Sequence, residues 1–510
     1  MKKLIPFLAI LSLLPATIAL SQQASIQSSS LLLSGGIVID GTGTKRRLAD
    51  VRIIGDRIKE IGKLTPQSGE WIIDVTGLIV APGFIDVHNH SEQGLFREPD
   101  AKSQILQGIT TLAIGPDGGS PFPLADYLTR LEKQPTAVNV VSFIGHATVR
   151  KRVMGEDTTR AATAGEIAKM AELVEQAMRD GAVGLSTGLE YDIGNPATTE
   201  EVIALARVAA KYGGIYMSHV RDEADLAFDA FREAIRIGRE AKLPVQISHI
   251  KLGTVGVWNK AGAVVKLIEA ARREGLDVTA DCYPYDAWAS TITVLVPSRR
   301  HDDPVMVKKG LDDVGGGGNV LITSCAAHRD YQGKTLDEIA KAAGNSAVDV
   351  YIQIVKDGGA GVVCKSMIES DIKTFYKQPW VMVASDGGIG SRHPRGAGTF
   401  PRVLGRYVRE QHWFGLEEAI RKMSLFPAQR LGLFDRGLLK VGMKADVAVF
   451  DPNQVMDQST MSQPTIEPVG IRYVLVNGRV VVDEGKVTGE RFGAVLRHSA
   501  MAKKSNKDSR

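Results

Sequence analysis

Along the middle of the chain, short apolar runs alternate with longer amphipathic stretches. GFIDV, TTLAIG (110–115), VNVVSFIG (138–145), AVGLST (182–187), GIYMS (214–218), PVQIS (244–248), DVTAD (277–281) and WVMVAS (380–385) have the length and composition of buried strands. Most are separated by stretches such as TAGEIAKMAELVEQAMRDG and ADLAFDAFREAIRIGREA, whose apolar residues recur at helical spacing. Eight strand–helix units predict an α/β fold, a (β/α)8 TIM-like barrel over residues 83–429, with a doubly wound sheet as the alternative.

The flanks have another rhythm. Residues 31–82 (GGIVIDGTG, DVRIIGDRIKEIG, WIIDVTG) and 438–487 (GLLKVGMKADVAVFDP, IRYVLVNGRVVVDEGK) are short β-type runs punctuated by Gly and Asp. They predict one small composite β-sandwich domain, 31–82 plus 430–490, holding both ends of the chain. Within the barrel, His219, His249 and Asp281 end successive strands 30 and 32 residues apart, but the next polar strand end, Asp386, comes 105 residues later. The excess of roughly 70 residues predicts an insertion before the last strand, about 287–375, forming a lid-like subdomain that includes the GGGG run at 315–318.

A chain of 510 residues with 44% hydrophobic content can bury a large core, and a net charge of +4 without basic clusters outside the tail gives no case for nucleic-acid binding. The start, MKKLIPFLAILSLLPATIAL, has two lysines, a proline-containing apolar run, then small and polar residues. That is the form of an export leader over residues 1–24, which leaves a periplasmic or secreted chain with no stable membrane span after processing. Residues 491–510 are expected to be a disordered tail. The three cysteines, Cys282, Cys325 and Cys364, do not make a disulfide scaffold; a single Cys325–Cys364 bridge is open.

Chemistry enters at the strand ends. In GFIDVHNH, alternation along a strand points His88 and His90 the same way. Strand C-termini converge on one mouth of a barrel. His88 and His90 on strand 1, His219 on strand 5, His249 on strand 6 and Asp386 on strand 8 would meet there, as ligands of one or two divalent metals.

The motifs go further. HNH after PGFIDV, a histidine after strands 5 and 6, and SDG after strand 8 resemble the amidohydrolase superfamily. GLSTGLEY, GGIYMSHVRDE, ISHIKLG, DCYPY, HPRGAGTFPRVLG and ADVAVFDP resemble its D-aminoacylase (N-acyl-D-amino-acid deacylase) family, and the likeness covers nearly all of residues 31–485. The resemblance implies one or two Zn2+ ions per chain on His88, His90, His219 and His249, with Asp386 both ligand and general acid/base; cobalt, manganese or nickel suits the same geometry. It implies hydrolysis of the amide of an N-acyl-D-amino acid, a small-molecule partner. Another amide (a cyclic amide or a dipeptide with a D-residue) is the alternative, and an inactive binding protein on the same fold a remote one.

The sequence departs from the family at two places. A cysteine that holds metal in a stretch like TGNCG is replaced by Asp117 in IGPDGG, and Glu190 in STGLEY stands where those enzymes carry an apolar residue. Glu190 is the first choice to replace the thiolate by bridging two metals, and Asp117 the second. By resemblance Tyr191, Lys251, Tyr283 and Arg395 would hold the substrate carboxylate. His146, in FIGHATVR, either faces the mouth or is structural. Trp258 and Trp288 either line an acyl pocket or are aromatic core.

Overall fold

The computed structural model describes residues 30–498. The predicted leader and residues 499–510 of the predicted tail lie outside the described residues.

All eight expected strands form. They are Phe84–Asp86, Ile109–Ile114, Asn139–Ser142 continued by Ile144–Gly145, Gly184–Gly188, Ile215–His219, Val245–Ile247, Val278–Cys282 and Val381–Val383. Every pairing between neighbours is parallel. A break at Phe143 is spanned by its N–H on the Ile114 carbonyl at 2.9 Å. The ring closes from strand 8 to strand 1 just beyond the strand ends, where Asp386 N donates to His88 O at 3.0 Å and His90 N to Gly387 O at 2.7 Å. The barrel, not the doubly wound sheet, is the fold.

Alternation along the strands sorts the core into two sides. Ile85, Ala113, Val141, Met217 and Met382 share one buried cluster. Their neighbours Phe84, Leu112, Val140, Tyr216 and Val381 belong to the larger cluster packed against the helices. Burying each such aliphatic side chain contributes about 1.5–3 kcal/mol. Helix ends carry their own stops: Thr163 and Glu166 form a capping box on Ala164–Asp180, and Gly181 closes that helix in the left-handed conformation.

Both flanks join one nine-stranded sheet. The seam is the antiparallel pair of Ile79–Pro82 with Val447–Phe450. The sheet curls, since Ile58 N reaches Met443 O and Gly442 N reaches Ile58 O, both at 2.9 Å. Its core includes Leu33, Val51, Ile73, Val80, Val449 and Leu475.

The insertion has a three-stranded sheet, Trp288–Thr291, Gly361–Cys364 and Val320–Ser324, and three α-helices, Pro304–Asp313, Leu336–Ala343 and Ala347–Lys356. It buries a core of its own around Leu311, Ile322, Ile339 and Tyr351. The expected end near 375 is too late: Ile372 and Phe375 of helix Glu369–Tyr376 pack into the barrel's cluster. The glycine run is a tight connection, with Gly315 and Gly316 at φ 83° and 106°. Cys325 and Cys364 do not pair; all three cysteines are free and buried, and Cys364 faces Val320 and Trp288 across the sheet.

Residues 491–498 are not a disordered tail. Gly493 N donates to Thr136 O, Val140 N to Ala494 O, Leu496 N to Val140 O and His498 N to Gly181 O, at 2.8 to 3.0 Å. Phe492 and Val495 pack on the barrel core; the charged residues after 502 masked this apolar stretch in the sequence. Among the described residues no helix is long and apolar enough to cross a membrane.

Candidate metal centre

The site is built at the C-terminal mouth of the barrel. Buried Asp86 ties strand 1 to the turn after strand 8: it accepts Ser385 N at 2.9 Å, Ser385 Oγ at 2.5 Å and Asn89 Nδ2 at 2.9 Å. Three residues of the mouth, Asp117, His249 and Asp386, take positive φ (53°, 32° and 47°). Such backbone is costly for non-glycine residues and persists where surrounding contacts enforce it, often at functional sites. Glycine makes room for one of these turns, since a Cβ on Gly387 would lie 2.6 Å from Gly396 Cα.

Four side chains bring one donor atom each within 4.8 Å of one another: His88, Asp117, His249 and Asp386. His88 Nε2 lies 3.2 Å from Asp117 Oδ2 and 3.4 Å from Asp386 Oδ1. His90, on the rim, approaches the same two oxygens at 3.4 and 3.3 Å. A second group shares His249 and adds His219 and Glu223. His219 Nδ1 is 3.0 Å from His249 Nε2, and His249 Nδ1 is 3.1 Å from Glu223 Oε1.

The donor set fits a divalent ion. Burial opposes charge on His88, yet Asp117 and Asp386 hold its pKa well above the ordinary value. Burial likewise opposes ionised Asp386 and Asp117, but Arg395, His249 and His88 outweigh it for Asp386, and His88 and His249 for Asp117, so both carboxyls stay far below the usual range. Packed carboxylates that keep imidazoles protonated mark a place that calls for positive charge, which a metal supplies. Asp117 Oδ1 is buried with no partner. Mixed imidazole and carboxylate donors suit zinc.

Glu190 is not in either group. Its Oε2 meets the Nε2 of His219 at 2.8 Å, and it is Asp117 that stands among the imidazoles. Glu190 lies two residues past its strand, in a turn that carries its carboxylate to the outer nitrogen of His219. The remaining expected groups gather at the mouth. Arg395 Nη1 pairs with Asp386 Oδ2 at 2.6 Å, and its Nε is buried without a partner. The Tyr283 ring lies under Arg395 (4.8 Å) and Lys251 (5.7 Å). Tyr191 Oη sits 3.1 Å from His219 Nδ1. Lys251 Nζ is held by both oxygens of Glu223, at 2.7 and 2.8 Å.

His146 does not face the mouth. It opens helix His146–Met154, and its Nε2 meets Glu201 at 2.9 Å, a carboxylate that Arg150 also grips. The sequence reading missed Glu223, which follows His219 by four residues beyond the strand, where alternation gives no direction. Asp281 was placed at a strand end but given no part in the site; its Oδ1 accepts His249 N at 2.7 Å and lies 3.5 Å from His88 Nδ1.

Two chambers open from the centre. One reaches from His219, His249 and Lys251 to an apolar wall of Trp288, Val294, Leu295, Pro297 and Val314, all from the insertion. The other is more open and is bordered by His90, Glu92, Asp117 and Ser120. Tyr191, Asp386 and Arg395 border both. Trp288 is therefore a pocket residue, whereas Trp258 is occupied with the Ser366 carbonyl at 2.9 Å.

A parallel barrel with histidines and carboxylates converging at its C-terminal mouth defines a metal-dependent hydrolase class. The chain belongs to the amidohydrolase family, whose pattern it matches over residues 72–482. It is 40% identical to a D-aminoacylase of Alcaligenes xylosoxydans xylosoxydans, covering 94% of this chain and 99% of that one. A solved D-aminoacylase with a binuclear metal centre superposes with a TM-score of 0.82 at 37% identity, covering 92% of this chain and 99% of the other. The N-acyl-D-glutamate deacylase of Bordetella bronchiseptica, solved with zinc and a phosphonate mimic of the tetrahedral intermediate, gives 0.83 at 35% identity over the same shares.

Proposed function

We propose that this chain hydrolyses the amide bond of N-acyl-D-amino acids, releasing a carboxylate and a free D-amino acid. The observation that carries this reading is the placement of Arg395 on Asp386, which sets a cation for a substrate carboxylate beside the metal-ligand group. The relatives' activities and their coverage of nearly the whole chain support it.

His88, His90, Asp117, His249 and Asp386 would hold one ion, and His219 and Glu223, with His249, a second. Bound there, zinc lowers the pKa of water and polarises a carbonyl. Asp386 takes the proton of the attacking water and hands it to the leaving nitrogen, so that the product departs as a neutral amine. Arg395 forks onto the substrate carboxylate, with Tyr191, Lys251 and Tyr283 around it. The insertion's apolar wall accepts the apolar portion of the substrate and excludes water.

The test is amine release by the zinc-loaded chain from matched N-acetyl-D- and N-acetyl-L-amino acids. Release from the D series alone supports the reading. No release from either series, with metal bound, overturns it and directs attention to cyclic amides and dipeptides.

Export is part of the same proposal, supported by the leader-like residues 1–24. N-terminal sequencing of the chain from a periplasmic extract tests it; an intact Met1 overturns it.

A further inference from the structure

His393 lies behind the site and borders neither chamber. The residue is 1% exposed, with the rings of Tyr283 and Tyr285 at 6.2 and 5.4 Å from its own. Both nitrogens are engaged. Nε2 donates to the Ala287 carbonyl at 3.1 Å, and Nδ1 accepts the backbone N–H of Arg395 at 3.0 Å. That pattern defines a neutral ring of one tautomer. Burial, and then Arg395, hold its pKa well below the ordinary value, which keeps the accepting nitrogen free of a proton.

The accepted N–H is the first of helix Arg395–Arg402, whose cap residue, Pro394, offers no side-chain acceptor. The imidazole thus does what a Ser or Asp cap does elsewhere, from two residues upstream. The donated hydrogen bond goes to the residue just before the insertion's first strand, Trp288–Thr291, whose Trp288 and Ser290 border the pocket. One ring therefore holds the origin of the Arg395 side chain and the root of the insertion. Tyr283, which flanks His393, also supports the Arg395 guanidinium.

We propose that His393 is the positioning residue for Arg395: it caps the arginine's helix, ties it to the insertion's root, and so sets the guanidinium where a substrate carboxylate is received. This rests on the reading of Arg395 as the carboxylate clamp.

The experiment compares the metal-loaded full chain with His393→Phe and His393→Asn. Acetate release is measured from N-acetyl-D-leucine and from N-acetyl-D-leucinamide, which lacks the carboxylate, and the crystal structure of His393→Phe is determined. Phe keeps the ring and loses both hydrogen bonds; Asn can still accept the N–H two residues on in an Asx turn. Expected for His393→Phe is a KM about tenfold higher for the carboxylate substrate, kcat within about threefold, little change for the carboxamide, and Arg395 displaced from Asp386. His393→Asn should recover most of the loss. Arg395 still on Asp386 with KM unchanged, or equal losses on both substrates without recovery by Asn, would overturn the proposal. If the parent chain hydrolyses no N-acyl-D-amino acid, the functional reading falls, and the position of Arg395 in the His393→Phe crystal still decides this inference.

Discussion

Asp386 and Arg395 form a buried ion pair, Oδ2 to Nη1 at 2.6 Å, while the other oxygen of the same carboxylate lies 3.3 Å from His90 and 3.4 Å from His88. One carboxylate thus faces the arginine on one side and the metal donors on the other. Asp386→Asn keeps the size of the side chain and removes its basicity. It is expected to lower kcat by at least about 10³-fold, with correct folding shown by an unchanged circular dichroism spectrum. Retained turnover would remove Asp386 from the proton path.

Arg395→Lys preserves charge but not the fork. Loss of bidentate binding should raise KM for N-acyl-D-amino acids by about 10- to 100-fold. Steady-state kinetics measure this, and a carboxamide substrate should show little of the effect.

The carboxylates differ in their expected grip on metal. Asp117 lies among His88, His249 and Asp386, whereas Glu190 meets the outer nitrogen of His219 and accepts the Glu223 backbone N–H at 3.4 Å. Metal per chain, measured by plasma emission spectrometry after dialysis, should fall in Asp117→Ala and hold nearer the parent value in Glu190→Ala. Exhaustive chelation of the parent chain should abolish turnover, and added zinc should restore it.

Away from the site, Arg52 grips Glu70 through Nε to Oε1 at 2.7 Å and Nη2 to Oε2 at 3.2 Å. The Arg52 hydrogen bond is the main reason the Glu70 pKa drops to about 2. A lowered carboxyl pKa adds stability above the unfolded value near 4.5, and that stability is lost as pH falls toward 2. Glu70→Gln should cost about 1–2 kcal/mol at pH 7 and almost nothing near pH 2. Denaturant unfolding at the two pH values checks the sign; an equal cost at both would mean that the charge is irrelevant.

The barrel was legible because each strand carries its own apolar run, and a period of about 30 residues is the length of one strand–helix unit. Histidines at strand ends were legible for the same reason, since alternation gives a direction while the strand lasts. Beyond the strand that rule stops. Asp117, His249 and Asp386 turn through left-handed backbone, which no pattern of apolar and polar residues announces. Glu223 and His393 sit in loops whose course is set by contacts tens or hundreds of residues away, such as Lys251 and Ala287. His146 was left open between the mouth and a structural place, and the structural place holds because a helix begins on it and swings the ring to Glu201, 55 residues on. The segment 491–498 was hidden because its partners, Thr136, Val140 and Gly181, lie hundreds of residues earlier in the chain.

The insertion donates the pocket's apolar wall yet contributes no residue to either donor group, and it folds around a core of its own. The apolar wall and the metal-donor groups thus lie on separate stretches of chain. Exchanging residues 288–364 between related chains becomes a route to altered substrate range in which the reaction centre stays as inherited.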